Sequence, residues 1–286
     1  MATRAPSRRA ARTTAPKRRS AKQDREDPES LEANIPEIEI ADLETFSEST
    51  NILLYGPAGH GKTVLAGGAR RATYMSTEKG VVAARRVGHT AKLMRTPTWE
   101  HCLAAMNMAD KQLGPEDWLI CDSGTKMQIM YYRWILKTIK ESKPNRDLDI
   151  AAIQDHQKWQ KGFQRFVDHM IDAPYNLIMV ATPMTREDED GDDAVIPHFE
   201  GKGRTISDYI SAQFDVVLYY AVSKIASDKA GETIRRALAQ PHPDLPYIAK
   251  DRFQALGEYW EVGPGNYWAM AEMIEAIDES METDAA

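Results

Sequence analysis

Residues 51–63 read Asn-Ile-Leu-Leu-Tyr-Gly-Pro-Ala-Gly-His-Gly-Lys-Thr. The apolar run Ile52 to Tyr55 predicts a buried strand, and it leads directly into Gly-x-x-x-x-Gly-Lys-Thr, the complete phosphate-binding P-loop pattern. Glycines let the backbone turn its N–H groups toward phosphates, and the start of the following helix adds positive potential. The residues predicted to bind nucleotide are therefore Gly56, Pro57, Ala58, Gly59, His60, Gly61, Lys62 and Thr63.

Two side chains of this loop are expected to carry its chemistry. Lys62 would reach the β- and γ-phosphates, and the Thr63 hydroxyl would ligate Mg²⁺. The alternative is a glycine-rich turn followed by an accidental Lys-Thr, which the required order of strand, loop and helix disfavours. ATP and Mg²⁺ are the expected cofactors. A P-loop binds phosphates and not the base, so the choice between ATP and another nucleoside triphosphate stays open.

A second apolar run ends in an acid. The segment Trp118-Leu119-Ile120-Cys121-Asp122-Ser123 has the character of a Walker B strand, which delivers a carboxylate beside the P-loop to support the Mg²⁺ shell. Many strands end in Asp, so this run gains its meaning from lying about one βα-unit beyond the P-loop. We therefore predict that Asp122 and Thr63 together bind Mg²⁺.

The composition of the chain indicates the cellular compartment and the domain organisation. The 286 residues contain two cysteines, too few for a disulfide framework, which favours a reducing cytoplasm. No apolar run approaches the ~18 residues of a membrane span, so no membrane partner is expected. We expect a disordered basic arm and acidic linker over residues 1–49, an ATPase domain over 50–265 and an acidic C-terminal tail over 266–286.

Strands and helices alternate through the central region. Helices are expected at Val64–Arg71, Trp99–Gln112, Thr125–Ser142 and residues 150–172, and an exposed acidic loop at Arg186–Asp193. Strands are expected after the P-loop helix, near Lys92, at Asp117–Asp122, at Asn176–Ala181 and at Phe214–Val222, followed by an antiparallel set ending at Val262. This order predicts an α/β fold: a mostly parallel sheet flanked by helices, with a C-terminal antiparallel extension.

Across residues 50–262 the chain resembles RecA-type ATPases, specifically the phage-encoded RecA-like proteins of the Sak single-strand annealing and recombination group. The resemblance rests on Gly56–Thr63, Tyr74-Met75-Ser76-Thr77-Glu78, Leu119–Ser123 and Ile248-Ala249-Lys250-Asp251-Arg252-Phe253, which is similar to the Lys-x-Arg-Phe segment of RadA-type relatives. It implies a RecA-like P-loop NTPase core that assembles into a homo-oligomeric ring or filament in the host cytoplasm.

The resemblance assigns further catalytic roles beside Lys62. Glu78 would polarise the attacking water, and Thr182 would sense the γ-phosphate. Lys250 and Arg252 would reach the nucleotide of a neighbouring subunit as cationic fingers. Glu78 could instead be a solvated acid at a strand end, and Lys250 with Arg252 an ordinary surface pair. RadA-type relatives have Gly after the Phe, whereas this chain has Gln254.

The resemblance also implies single-stranded DNA as a partner, together with other phage recombination or replication proteins. The acidic loop would repel phosphate, which leaves two basic candidates. One is the flexible pair Lys202 and Arg204. The other is the N-terminal arm, whose first 23 residues hold eight Lys or Arg and no acid, including Arg8, Arg9, Lys17, Arg18 and Arg19. The arm could also serve only as a solubility tail.

Three functions remain open at this stage. The first is an ATPase acting on single-stranded DNA in phage recombination or annealing, with turnover stimulated by DNA. The second is a DNA-annealing protein switched by ATP with negligible turnover. The third is a helicase or DNA-packaging motor.

Overall fold

The computed structural model describes residues 49–142, 153–187, 191, 193–201, 205–222, 234–242 and 246–284. The strands in these ranges are β1 (Asn51–Tyr55), β2 (Ala72–Ser76), β3 (Lys92–Arg95), β4 (Trp118–Asp122), β5 (Asn176–Ala181), β6 (Pro183–Glu187), β7 (Asp193–Pro197), β8 (Val216–Val222), β9 (Arg235–Leu238), β10 (Lys250–Asp251) and β11 (Tyr259–Val262). The helices are α1 (Lys62–Ala66), α2 (Val82–Arg86), α3 (Trp99–Gln112), α4 (Gly124–Ser142), α5 (Ile153–Ile171), α6 (Thr205–Gln213) and α7 (Ala269–Asp284).

One large sheet organises the domain. Its strand order is β11-β9-β8-β1-β5-β4-β2-β3, and β10 pairs with the start of β8. The six strands β8, β1, β5, β4, β2 and β3, which are neighbours in that order, run parallel to one another, whereas β9, β10 and β11 pair antiparallel. The predicted α/β class, with a mostly parallel sheet flanked by helices and a C-terminal antiparallel extension, is confirmed. β5 lies between β1 and β4, so the P-loop strand and the Asp122 strand are not neighbours.

Side chains of the central strands alternate between two buried faces, as continuous apolar runs in a covered parallel sheet must. Ile52, Leu54 and Ile120 belong to one core, which α1, α2 and α7 cover. Leu53, Leu119 and Cys121 belong to the other, which α3, α4, α5 and α6 cover. The helix α5 contributes to this second core an apolar stripe with the spacing i, i+3, i+4, i+7, each member at most 5% exposed: Phe163, Phe166, Val167 and Met170.

Both ends of the segment expected to be an exposed acidic loop belong to a hairpin. Residues Arg186 and Glu187 end β6, and Asp193 begins the antiparallel partner β7. The Arg186 guanidinium donates to both carboxylate oxygens of Asp208 in α6, at 3.0 and 3.2 Å. The positive charge of Arg186 is therefore paired with an acid of α6. The expectation of a loop was wrong at both ends, because the end of β6 pairs with the start of β7, which follows several residues later in the chain. Residues 188–190 and 192 lie outside the described part of the chain.

The helix after the P-loop is shorter than predicted, because two glycines follow Ala66 and end it. Short helices α2 and α6 were not predicted. The acidic C-terminal segment forms α7, and one face of this helix is buried in the core through Met270, Met273 and Ile277. Its acids occupy the other positions. None of the helices in the described ranges combines the length and apolar character needed to cross a membrane.

Candidate functional site

Parallel pairing brings several candidate residues to one edge of the sheet, where β1, β2, β4 and β5 end. Tyr55 pairs with Ala181, and Ser76 pairs with Asp122. The loop that follows β1, the turn that follows β2 and the last residue of β4 therefore lie along the same edge, which we call the carboxyl edge. Ligands of open parallel sheets bind at this edge.

The P-loop follows the end of β1 with three residues at positive φ: Gly56 at 155°, Gly59 at 80° and Gly61 at 97°. Gly56 also lies against the neighbouring strand, since a β-carbon there would sit 2.0 Å from the carbonyl oxygen of Tyr220 in β8. Glycine is therefore required at Gly56 for both backbone conformation and space. The loop conformation that the motif predicts depends on this close approach.

The Lys62 ammonium lies within the curve of the loop. Its Nζ donates to the carbonyl oxygens of Gly56 and Pro57, at 2.6 and 2.9 Å, and the residue is 8% exposed. Burial lowers the pKa of Lys62, while the charges of Asp122 and Glu78 oppose that change. A partly desolvated cation among peptide groups is well suited to bind phosphate, because little water must be displaced from it.

Thr63 and Asp122 are in direct contact. The Thr63 hydroxyl donates to Oδ2 of Asp122 at 2.9 Å, and the carboxylate is almost fully buried. Burial raises the pKa of Asp122, and the hydrogen bond from Thr63 partly counters it. These oxygen donors fit Mg²⁺, which commonly takes one or two protein oxygens and fills its octahedron with water and substrate phosphate.

Glu78 is exposed and lies two residues beyond the end of β2. The turn that carries it is fixed by the Ser76 hydroxyl, which donates to the carbonyl oxygen of Glu78 at 2.9 Å. A bond from the Thr77 N–H to the carbonyl oxygen of Asp122, at 2.9 Å, joins this turn to β4. The charge of Glu78 contributes to the pKa values of both Asp122 and Lys62. An acid in this position can face a water that approaches the γ-phosphate.

A clamp on the P-loop, unforeseen from the sequence, comes from the paired residues Val222 and Arg235. The Val222 N–H donates to Nδ1 of His60 at 3.2 Å, and Arg235 Nε donates to the His60 carbonyl oxygen at 3.0 Å. Burial and the charges of Lys62 and Arg235 lower the pKa of His60. Arg235 lies within the antiparallel set that the sequence predicts, whose first strand is expected at residues 233–239, but no motif marked it, since its contact depends on the β8–β9 pairing.

Thr182, the predicted γ-phosphate sensor, follows β5 at the carboxyl edge. Its N–H donates to the hydroxyl oxygen of Thr125 in α4 at 3.1 Å, and the two hydroxyl oxygens are 3.4 Å apart. Thr125 in turn donates to the carbonyl oxygen of His198. These bonds connect the end of β5 to α4 and to the segment after β7.

Lys250 and Arg252 lie at the opposite edge of the sheet from the P-loop of their own chain. β10 pairs with the first two residues of β8, and both side chains donate to the carbonyl oxygen of Ala212. Arg252 also pairs with Asp215 at 2.8 Å. Burial, together with the charge of Arg252, lowers the pKa of Lys250 to about 8. Their role at a neighbouring subunit's nucleotide stays a prediction.

The predicted DNA-contacting residues lie outside the described part of the chain. They are Lys202, Arg204, Arg8, Arg9, Lys17, Arg18 and Arg19.

The P-loop follows β1, an acid ends β4, and β5 separates these two strands in the sheet. These features define a P-loop nucleotide-binding protein. The sequence model of a family described as AAA domain matches residues 48–253. Because this match spans more than half of the chain, the protein belongs to that family of P-loop ATPases. The comparison with curated protein sequences returned no match.

Proposed function

We propose that the protein is a Mg²⁺-dependent ATPase whose reaction takes place at the carboxyl edge. The observation that carries this proposal is the contact of Thr63 with Asp122 beside the buried Lys62 ammonium. Lys62 and Thr63 begin α1 after β1, whereas Asp122 ends β4, a strand not adjacent to β1, so sequence proximity alone does not explain their meeting. Each has the chemistry that a bound triphosphate and its metal require.

The proposed division of labour follows from charge and position. Lys62 binds the β- and γ-phosphates, exchanging its bonds to loop carbonyls for phosphate oxygens. Thr63 and Asp122 hold Mg²⁺, which when bound neutralises charge that develops on the phosphates. Glu78 orients water for in-line attack, because its carboxylate is exposed and sits in a turn tied to β4.

Two substitutions test this ATPase proposal. Lys62→Ala is expected to abolish ATP binding, whereas Glu78→Gln is expected to preserve the ATP Kd and lose most turnover. Glu141→Gln, an isosteric change of an exposed acid at the end of α4, is the matched control. Calorimetric binding and steady-state phosphate release give both quantities. Wild-type turnover in Lys62→Ala would overturn the proposal, and turnover within about twofold of wild type in Glu78→Gln would remove Glu78 from the mechanism.

The proposed biological substrate is single-stranded DNA, in phage recombination or annealing in the host cytoplasm. Two features of the sequence support it: the resemblance to RecA-like proteins, and the basic arm on a chain whose remaining residues carry a net charge of about −15. A basic segment binds a polyanion mainly by releasing condensed counterions. The same resemblance supports a homo-oligomeric ring or filament that works with other recombination or replication proteins.

ATPase rates with and without single-stranded DNA, at defined salt, test this substrate. Stimulation by DNA is the expected result. DNA binding that depends on ATP without appreciable turnover would instead favour an annealing protein switched by the nucleotide. Strand displacement on a forked duplex would favour a motor. Absence of DNA binding at low salt would refute the DNA proposal and leave the ATPase proposal intact.

A further inference from the structure

Positive charge is concentrated on the outward surface of two neighbouring helices, α4 and α5. Their Lys and Arg residues recur with the spacing i, i+7, i+11, i+14 on α4 and i, i+3, i+7 on α5, so at 3.6 residues per turn each row follows one side of its helix. The two rows together, which we call the basic face, are Lys126, Arg133, Lys137 and Lys140 on α4 with Lys158, Lys161 and Arg165 on α5. All of these residues are exposed except Lys126, which is partly buried.

The two rows lie beside each other because α4 packs directly against α5. The Trp159 indole N–H donates to the carbonyl oxygen of Gln128 at 3.4 Å, and the Tyr131 hydroxyl lies so close to Gly162 that a β-carbon there would clash with it. The charge of Arg165 acts on the same hydroxyl, opposing the rise in the pKa of Tyr131 that burial causes. The apolar sides of both helices belong to the second core, so the basic rows face outward together.

The charges of the basic face are not neutralised by acids of the same chain. Lys137 lies near enough to Glu100 of α3 for the two charges to interact, but without an ion pair. Within the described ranges no ion pair joins any member of the face to a carboxylate, whereas several arginines elsewhere each pair with an acid: Arg70, Arg71, Arg236 and Arg252. Like charges at helical spacing repel one another, and an anionic partner would relieve that repulsion.

The basic face lacks the apolar side chains on which protein interfaces depend. None of the exposed large apolar side chains in the described part of the chain lies on α4 or α5. The exposed acids of α7, such as Glu272 and Glu279, would complement the charge if a second copy docked there. Exposed ion pairs contribute at most about 1 kcal/mol each, however, and interface cores are depleted of charge. A polyanion gains instead by releasing condensed counterions, which requires no apolar contact.

We propose that the basic face binds the phosphate backbone of single-stranded DNA. The inference rests on the proposed DNA substrate and deepens it, because it names a folded surface in addition to the arm and the pair Lys202 and Arg204. The row on α4 spans about 21 Å at 1.5 Å per residue, enough to follow several phosphates. Its first member is also close to the nucleotide site, since the Lys126 N–H donates to the hydroxyl oxygen of Ser123, the residue after Asp122, at 3.3 Å.

Three multiple variants of the full chain test the basic face. Two remove charge from its rows, and the third is a matched control that removes exposed, unpaired charges from α2 and α3. They are Arg133→Gln with Lys137→Gln and Lys140→Gln on α4, Lys158→Gln with Lys161→Gln on α5, and, as the control, Arg85→Gln with Arg86→Gln and Lys111→Gln. Fluorescence anisotropy of a labelled oligothymidine gives the Kd over a range of salt concentrations. ATP hydrolysis without DNA should match wild type in all three, because none of these residues lies at the carboxyl edge.

The expected loss follows from counterion release. If each of the three charges on α4 neutralises one phosphate, at about −0.7 per phosphate, the log–log salt slope should lose about two units. Because this contribution vanishes near 1 M salt, the affinity at about 0.1 M should fall about 100-fold. The α5 variant should lose about 1.4 units of slope. The control has the same net charge as the α4 variant and should keep the wild-type slope.

The outcomes separate this inference from the proposed function. A wild-type slope in the α4 variant, or a loss that the control matches, would overturn the basic face and leave the arm as a DNA contact. Loss of self-association on sizing, with DNA binding at the control level, would assign the face to a second copy and overturn the inference too. If the α4 variant loses its far-UV circular dichroism, the α5 variant decides. Failure of the wild type to bind oligothymidine at low salt would overturn the DNA proposal itself.

Discussion

Substitution of Gly56 by alanine tests how closely the P-loop approaches the sheet. The added β-carbon would lie 2.0 Å from the carbonyl oxygen of Tyr220, and folded proteins essentially never show such contacts below 3.0 Å. The oxygen belongs to backbone, so no side chain can rotate away. Either the loop or the end of β8 must move by at least about 1 Å, although β1 and β8 are paired up to Tyr55 and Tyr219.

The expected cost follows from two contributions. Overpacking a close-packed site typically costs about 1–3 kcal/mol, and a side chain at such a positive φ adds roughly 1–3 kcal/mol of backbone strain. We therefore expect Gly56→Ala to lower the free energy of unfolding by about 3–4 kcal/mol. Gly59→Ala is the matched control, since φ is 80° and a β-carbon there would meet open space. We expect Gly59→Ala to lower the free energy of unfolding by only roughly 1–2 kcal/mol, the cost of a β-carbon in left-handed backbone conformation.

Equilibrium urea unfolding of both variants, followed by far-UV circular dichroism, measures the difference. With a slope of about 2 kcal/mol per molar urea, a 2 kcal/mol gap separates the two midpoints by about 1 M. ATP affinity should fall further in Gly56→Ala than in Gly59→Ala, because the loop conformation depends on Gly56. Equal midpoints for the two variants would refute the close approach of Gly56 to β8.

Three further changes test other parts of the site. Arg235→Met removes the donor to the His60 carbonyl and should weaken ATP binding about fivefold, since a hydrogen bond from a charged group at a partly buried site contributes about 1 kcal/mol; an unchanged calorimetric Kd would show that the clamp is dispensable. Arg252→Ala should lower ATPase activity without weakening ATP binding, and mixing it with Lys62→Ala should restore activity if the finger acts between subunits; a monomeric wild type and an inactive mixture would contradict this. Deletion of residues 1–23 should flatten the log–log salt dependence of single-stranded DNA binding by about three units, if half of the eight positive charges each neutralise a phosphate at about −0.7 per phosphate. ATP hydrolysis without DNA should not change, and an unchanged slope in the truncated protein would remove the arm from the interface.

Much of the fold could be predicted because its strands are continuous apolar runs with local punctuation. β4, β5 and α3 lie within a residue of the predicted bounds. For α3 the limits are local, because Thr98 caps its start and Gly114-Pro115 follows its end. The hairpin of β6 and β7 was not predicted, because the residues at its inner ends, Arg186, Glu187 and Asp193, have no strand character on their own. Its order comes from cross-strand pairing and from the bond between Arg186 and Asp208.

The sequence by itself determined the chemistry of the phosphate site. Gly-x-x-x-x-Gly-Lys-Thr after an apolar run specifies a loop, a cation and a hydroxyl within a few residues, and the contacts of Lys62 with the loop are correspondingly local. Asp122 was also within reach of sequence reasoning, because parallel strands end at a common edge. The roles of Glu78, Lys250 and Arg252 remain predictions that the experiments above address.

Tertiary structure alone decided what surrounds that loop. Arg235 reaches His60 from 175 residues away, and a cavity beside Val64 depends on a turn about 200 residues further along the chain. Only the antiparallel addition of β9 and β11 beyond β8 places these groups next to the P-loop. The acidic C-terminal segment shows the same dependence, since its apolar positions became a buried helix face only against the sheet. A local pattern specifies backbone conformation and residue chemistry, whereas contacts across a sheet depend on strand order, which no short segment encodes.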